Sequence, residues 1–236
     1  MDQTMKAPVV AILGYHKVGE PESGWPTWFW VSERQFVQQL EIIRQSNWHP
    51  IDLSTFLFGL QEPTALPAHA ILLTFDDAHR SVKTLALPWL RRFGYPAVLF
   101  VPTDFVGRED TFDAKEPLER LCDWDDLCEL EGAGVSIQSH TATHRPFSTL
   151  DAASREAEIM RSRDALEVRL EKRIETLAFP YGDDGGDAAM TSALLERAGY
   201  RGRFLYGGGP VTLPTNPYRL SRVPVGPTTN LAKVLR

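Results

Sequence analysis

Ala70-Ile71-Leu72-Leu73-Thr74-Phe75-Asp76-Asp77 is an apolar run that stops in two adjacent carboxylates. Its length and its Ile, Leu and Phe content read as a buried strand that delivers both aspartates at its carboxyl end. Comparable runs recur at Val9–Tyr15, Ala97–Val101, Val135–Ser139, Thr176–Tyr181 and Gly202–Tyr206. Helical patterns lie between them. Ser32-Glu33-Arg34-Gln35 is a capping box, followed by Phe36, Leu40 and Ile43 at helical spacing. Further helices are predicted over Ser54–Leu60, over His79–Phe93 with its stop at Gly94, and from Asp123 to Glu131. Ala152–Arg173 is laced with opposite charges and reads as a solvated outer helix, and Asp187–Ala198 closes at Gly199. Strands alternating with helices at this spacing predict parallel βα units, here in one α/β domain over residues 1–236. Reactive residues then belong at the carboxyl ends of the strands.

Composition narrows the function classes. A hydrophobic content of 43% and a charged content of 24% suit a chain with a real core. The formal net charge of -6, with no basic stripe, argues against nucleic acid or an anionic membrane as partner. No apolar stretch is long enough for a transmembrane segment. Met1–Lys6 carries no signal-peptide pattern, so the expected location is the cytoplasm or, for a trimmed form, a secreted or periplasmic one. Cys122 and Cys128, the 2 cysteines, are spaced for neither a Cys-x-x-Cys site nor an obvious bridge and read as reduced thiols.

The chemistry concentrates at strand ends. Ser139-His140-Thr141-Ala142-Thr143-His144 follows the run Gly134–Ser139 and places two imidazoles within one turn of each other. One carboxylate and two imidazoles form the three-ligand set with an open position that catalytic zinc uses, and the second carboxylate is then free to act as a general base. Taken singly, each feature has a plainer reading. Asp-Asp after a strand can cap a turn, and paired histidines can simply be hydrogen-bonded. Ala178-Phe179-Pro180-Tyr181-Gly182 ends another strand in an irregular turn, whose backbone N–H groups can face a developing oxyanion or merely turn the chain.

Thr74-Phe75-Asp76-Asp77, His140-Thr141-x-x-His144 and Phe179-Pro180-Tyr181-Gly182, in this order, resemble the polysaccharide deacetylase family, carbohydrate esterase family four. The flanking phrases Tyr15-His16-Lys17-Val18 and Gly94–Val101 fit as well, and the likeness runs roughly over residues 8–225. The resemblance implies a distorted (β/α) barrel of about seven parallel strands. It implies Asp76 as general base, Asp77, His140 and His144 as ligands of a divalent metal, and the Tyr181 N–H as oxyanion donor. The ligand set suits Zn2+, with Co2+ or Ni2+ possible. The implied reaction removes N-acetyl groups from amino sugars of a glycan or glycolipid.

Several positions depart from the family pattern. Ala78 replaces the glycine of Asp-Asp-Gly, so the following turn is expected to manage without a positive φ there. An extra Arg145 precedes Pro146. Ala178 stands where many members carry the arginine that braces the base, and the late segment Leu220-Ser221-Arg222-Val223-Pro224 contains no general-acid histidine. His16, at the end of the first strand, is the substitute. The layout resembles the circularly permuted poly-N-acetylglucosamine deacetylases, in which an early Tyr-His supplies the acid. His79 is a second candidate, expected at the start of a helix. Trp28 and Trp30, in the aromatic stretch that begins at Trp25, and Pro180 are expected to contact substrate, with packing as a lid as the other reading. Two rival functions stay open: an O-acetyl esterase or amidase for a small acylated substrate, and a glycan-binding barrel without turnover.

Overall fold

The computed structural model describes residues 7–20 and 27–236, so Met1–Lys6 and Trp25 lie outside the described residues. In chain order the strands are β1 (Val9–Tyr15), β2 (Lys17–Val18), β3 (Trp30–Val31), β4 (His49–Pro50), β5 (His69–Phe75), β6 (Ala97–Val101), β7 (Val135–Ser139), β8 (Thr176–Ala178), β9 (Gly202–Phe204), β10 (Val211–Thr212) and β11 (Val223–Pro224). The helices are α1 (Glu33–Gln45), α2 (Leu53–Gly59), α3 (Leu87–Phe93), α4 (Trp124–Gly132), α5 (Ala152–Leu170), α6 (Ala188–Arg197) and α7 (Leu231–Val234).

The main sheet runs β10-β1-β5-β6-β7-β8-β9, curled and mostly parallel, with β4 beside β5 and β11 beside β1. Only β10 runs antiparallel to its neighbour β1. The two ends of the sheet approach through one segment. Leu220 bridges Phe204 in parallel, and three residues on Val223 pairs with Leu13 of β1. Residues 220–224 therefore lie along the seam between β9 and β1, and this curled, mostly parallel sheet is the distorted barrel that the family resemblance implies.

Side-chain alternation along the strands separates two apolar layers. Val10, Ile12, Ala70, Leu72, Val98, Phe100 and Phe204 join one cluster inside the curl, closed at its amino end by Phe56 and Leu57 of α2. Ala11, Leu13, Ile71, Leu73, Leu99 and Ile137 join the other, against Phe36 and Leu40 of α1, Leu127 of α4 and Ile159 of α5. Strands buried on both faces are why they read as continuous hydrophobic runs rather than as alternating ones.

Most boundaries agree with the sequence pattern, and the differences have local causes. The capping boxes at Ser32 and Asp123 are both made. β8 stops at Ala178 because Pro180 cannot donate to a ladder and Tyr181 turns left-handed, with φ 58. The stretch expected as one helix from His79 bridges Leu121 at His79, turns helical from Arg80, widens into a π-helical turn over Val82–Ala86 and continues as α-helix over Leu87–Phe93. The two cysteines are free, Cys122 buried and Cys128 exposed. Among the described residues no helix is long and apolar enough to cross a membrane.

The Ser32 cap closes both halves of its box, with Gln35 N–H donating to the serine hydroxyl and Ser32 N–H donating to Gln35 Oε1. Ser32→Ala should lower stability by about 1 kcal/mol, read as a fall in urea midpoint at unchanged m-value.

Candidate metal and catalytic site

Strand register decides which side of the sheet each group reaches. Thr74 shares the inward parity of Ala70 and Leu72, and Asp76 continues it just past the end of β5. By simple alternation Asp77 would point the other way. Instead Asp77 (φ 68) and Ala78 (φ 59) are both left-handed, which bends the chain so that the two carboxylates share one cavity. The expectation that Ala78 would avoid a positive φ is therefore overturned. The turn keeps the glycine geometry with an alanine, at a cost of roughly 1 kcal/mol.

Asp77 Oδ1 lies 3.2 Å from His140 Nε2 and 3.0 Å from His144 Nε2. These three donor atoms lie within 4.8 Å of one another, and all three residues are buried. His140 donates its Nδ1–H to the carbonyl of Ala178 at 2.8 Å, since a carbonyl can only accept. That bond keeps a proton on Nδ1 and turns Nε2 toward the Asp77 carboxylate, where it can carry a second proton or face a cation. An acceptor on each side at 3.2 Å needs a cation or a proton between them, and a buried Asp-His-His set suits a divalent ion. The His144 ring is held by packing instead: it stacks on Phe112 with 3.9 Å between centroids and meets the Tyr181 ring edge-on at 5.0 Å.

Arg222 corrects a second expectation. Asp76 does have an arginine partner, and it comes from the seam segment rather than from position 178. Its Nη1 and Nη2 donate to Asp76 Oδ1 at 2.6 Å and Oδ2 at 2.7 Å, with Arg222 0% and Asp76 2% exposed. Burial pushes the Asp76 carboxyl up, but the charge of Arg222 and its hydrogen bonds, with His140 adding to them, hold it below the ordinary carboxylate range. Asp77 is likewise pushed up by burial, and held well below that range by its bonds to His140 and His144. Both aspartates are thus ionised near neutrality.

His16 reaches the same end of the sheet from β1. Its Nε2 is 3.9 Å from Asp76 Oδ2 and 4.0 Å from Asp77 Oδ2, and burial lowers its pKa to about 4 despite the two carboxylates. Phe29 at 4.7 Å and Tyr206 at 5.2 Å between ring centroids hold the imidazole. His79 stands directly before the helical residues that begin at Arg80, as expected, and is buried, with Nε2 3.6 Å from Asp77 Oδ2. The cavity above these groups has a volume of about 260 Å³, and Lys17, Asp110 and Glu116 form one wall. Lys17 Nζ donates to Asp110 at 3.1 Å and to Glu116 at 3.4 Å, which ties the connection after β6 to β2.

The aromatic expectations need correction. Trp30 is buried in β3, with Lys17 Nζ 5.4 Å from its ring centre, and does not line the cavity. Trp28 is 39% exposed but lies outside the cavity, against Tyr206 and Gly226. The residue between them, Phe29, lines the cavity instead. Pro180 is buried, and its neighbours Phe179 and Tyr181 reach the cavity in its place. Sequence reasoning missed Arg222, Phe29, Phe112 and the Lys17 network. Arg222 alone left a signal: it is a lone cation inside the apolar run Leu220–Val225.

Removing one partner of a buried, fully hydrogen-bonded pair strands the other charge. Arg222→Met should cost about 3–5 kcal/mol of stability near neutral pH. Adding Asp76→Leu should recover a large part of that loss, as a double-mutant cycle in urea would measure. Because the folded pKa of Asp76 lies below its unfolded value, the pair's contribution is complete above the ordinary carboxylate pKa and fades as pH falls through the folded one.

Residues 64–202, more than half of the 236, match the family model described as polysaccharide deacetylase. The poly-beta-1,6-N-acetyl-D-glucosamine N-deacetylase of Staphylococcus aureus (strain MSSA476) is 26% identical over 203 residues, covering 82% of this chain and 67% of that protein. Among solved structures, IcaB from Ammonifex degensii is 25% identical with a TM-score of 0.80, over 94% of each chain. The Streptococcus pyogenes deacetylase PplD in complex with acetate shares the fold, with a TM-score of 0.84 at 19% identity over 98% of this chain and 99% of that one. His16 and Arg222 both fall outside the matched span, one before it and one after. What the span does contain is the strand that ends in Asp76 and Asp77, the loop that ends in His144 and the turn at Tyr181, and by that match the chain belongs to the polysaccharide deacetylase family.

Proposed function

We propose that this protein hydrolyses N-acetyl groups on the amino sugars of a polysaccharide or its oligosaccharides, with Asp77, His140 and His144 holding a divalent metal, Zn2+ foremost. The reading rests on the convergence of Asp77 Oδ1, His140 Nε2 and His144 Nε2 beside a separate carboxylate that Arg222 keeps ionised. Its substrate class follows that of the Staphylococcus aureus relative, whose name gives a poly-N-acetylglucosamine N-deacetylase. When bound, the metal would supply a Lewis acid that polarises the acyl oxygen and makes a water acidic enough to attack near neutral pH.

The chain's own residues carry the remaining steps. Asp76 takes the proton from the attacking water. Arg222 keeps that carboxylate ionised beforehand and fixed in plane, because both of its oxygens are held by the fork. The backbone N–H of Tyr181 donates to the oxygen on which negative charge develops. Collapse of the tetrahedral carbon breaks the C–N bond, and the departing nitrogen must gain a proton to leave as an amine. His16 delivers it. With a pKa near 4 the imidazole is neutral at rest, so its proton comes from within the site, and Asp76 Oδ2 stands 3.9 Å from Nε2. Acetate and a free amine are the products. Phe29 and Tyr206 on one side, and Phe112 and Tyr181 on the other, present aromatic faces and edges between which a pyranose ring can lie.

Asp76→Asn should reduce acetate release from N-acetylglucosamine oligomers by roughly a hundredfold or more while leaving the bound metal in place, as elemental analysis would show. His16→Ala should depress turnover with metal content unchanged, and an undiminished rate would remove His16 from the role of acid. Chelation should abolish activity, with Zn2+ or Co2+ restoring it. Acetylated xylan run beside the oligomers separates ester from amide hydrolysis. Metal-loaded wild type that frees acetate from neither substrate would leave the glycan-binding reading standing.

A further inference from the structure

Glu158 stands on the buried side of α5, a helix whose charge pattern suggested a solvated exterior, and is 5% exposed. Its Oε2 accepts the backbone N–H of Ala142 at 2.9 Å and of Thr143 at 2.8 Å, and its Oε1 accepts the Thr143 hydroxyl at 2.6 Å. All three donors belong to the loop between His140 and His144. That loop belongs to neither a strand nor a helix, and it contains two left-handed residues, Thr141 (φ 66) and His144 (φ 57). Its carbonyls are taken from the other side, with Thr103 N–H donating to Thr141 O at 3.2 Å and Asp104 N–H to Ala142 O at 2.9 Å. One turn further along α5, Ser162 holds the hydroxyl of Ser139 at 2.8 Å, and Ser139 Oγ accepts the N–H of Thr141 at 3.3 Å.

A carboxylate is costly to bury unless its lone pairs are used, and here every named bond is spent on one short loop. We propose that Glu158 is a positioning residue that holds the His140–His144 loop in its ligating shape and thereby sets the affinity for the divalent cation. The inference rests on the reading of Asp77, His140 and His144 as the ligand set. Without Glu158, two amides and a hydroxyl lose their acceptor, and the two strained residues beside them are free to relax toward ordinary backbone. His144 would then leave the point it shares with Asp77 and His140. Groups that orient metal ligands in this way typically change affinity by roughly ten- to a hundredfold when removed.

The test is metal binding by the full chain, read by competition with a chromophoric chelator for Zn2+ and by the visible spectrum of the Co2+ form. Urea unfolding of the metal-free proteins runs alongside. Wild type should bind with a tetrahedral Co2+ spectrum, and His144→Ala should lose it; wild type that binds neither ion sinks the ligand reading, and the Glu158 proposal with it. Given binding by wild type, Glu158→Ala should bind roughly ten- to a hundredfold more weakly with a weakened or altered Co2+ spectrum. Glu158→Gln should recover most of the affinity. Its amide oxygen still accepts both N–H groups, and its NH2 can donate to Thr143 Oγ1. A Glu158→Ala protein that unfolds earlier in urea yet keeps wild-type affinity and spectrum would reduce Glu158 to an ordinary structural residue. Should Glu158→Ala fail to fold, Thr143→Val removes one of the three bonds and should weaken binding severalfold, and wild-type affinity in that variant overturns the proposal.

Discussion

The fork of Arg222 on Asp76 links the seam of the sheet to its centre, and the site is organised around it. A guanidinium and a carboxylate, both almost wholly buried, meet through two short parallel bonds at the carboxyl end of the strands. Neither charge could stay there alone, because desolvation would neutralise the carboxylate or expel the cation. Arg222 also donates to Thr74 Oγ1 at 3.2 Å and, through Nε, to the carbonyl of Leu205 at 3.0 Å, so its position depends on β5 and on the chain leaving β9. Closure of the sheet and the ionised state of Asp76 are therefore linked. A fold that failed to bring residues 220–224 along β1 would also leave Asp76 without its partner.

Backbone strain is concentrated at the same end. Among the described residues, six other than glycine have a positive φ, and five of them, Asp77, Ala78, Thr141, His144 and Tyr181, belong to the site or adjoin a site residue. The sixth, Glu171, caps the end of α5. Left-handed backbone at non-glycine residues is unfavourable, so surrounding bonds must over-determine it. Here the constraints can be named. Cys122 N–H donates to the carbonyl of Ala78 at 2.8 Å, and Asp76 N–H donates to the carbonyl of Tyr15 at 2.9 Å. The loop carrying Thr141 and His144 is held between residues 103–104 and the carboxylate of Glu158. The physical purpose is direction. A strand alternates its side chains, and only a bent backbone lets neighbours such as Asp76 and Asp77 face one point.

Much of this was legible beforehand. Strand positions, the capped starts of α1 and α4 and the parallel α/β arrangement arise from local pattern, and the grouping of Asp76 and Asp77 with His140 and His144 was legible from short motifs at strand ends that resemble a known family. His16 could be placed on the correct face because a strand end is enough to say which rim a residue reaches. The failures share a cause. Trp28, Phe29 and Trp30 are consecutive aromatics, and nothing in their composition says that the middle one meets the cavity while Trp30 is buried in β3. α5 reads as an exposed charged helix because Glu158 is a charged residue among charged residues, whereas its burial depends on a loop from another part of the chain.

Local order, then, was written into the linear chain: period-two burial, helix caps, and the proline and glycine that end elements act between residues a few positions apart, and their energetics need no partner from elsewhere. Family membership was legible for the same reason, since its motifs are short and contiguous. What brings Arg222 to Asp76, across 146 positions, is the curvature of a closing sheet. No periodicity encodes that meeting, because the free energy that holds it comes from desolvated charges paired in three dimensions. The arginine partner of Asp76, the aromatic walls of the cavity and the support beneath the histidine loop were therefore decided only by tertiary structure.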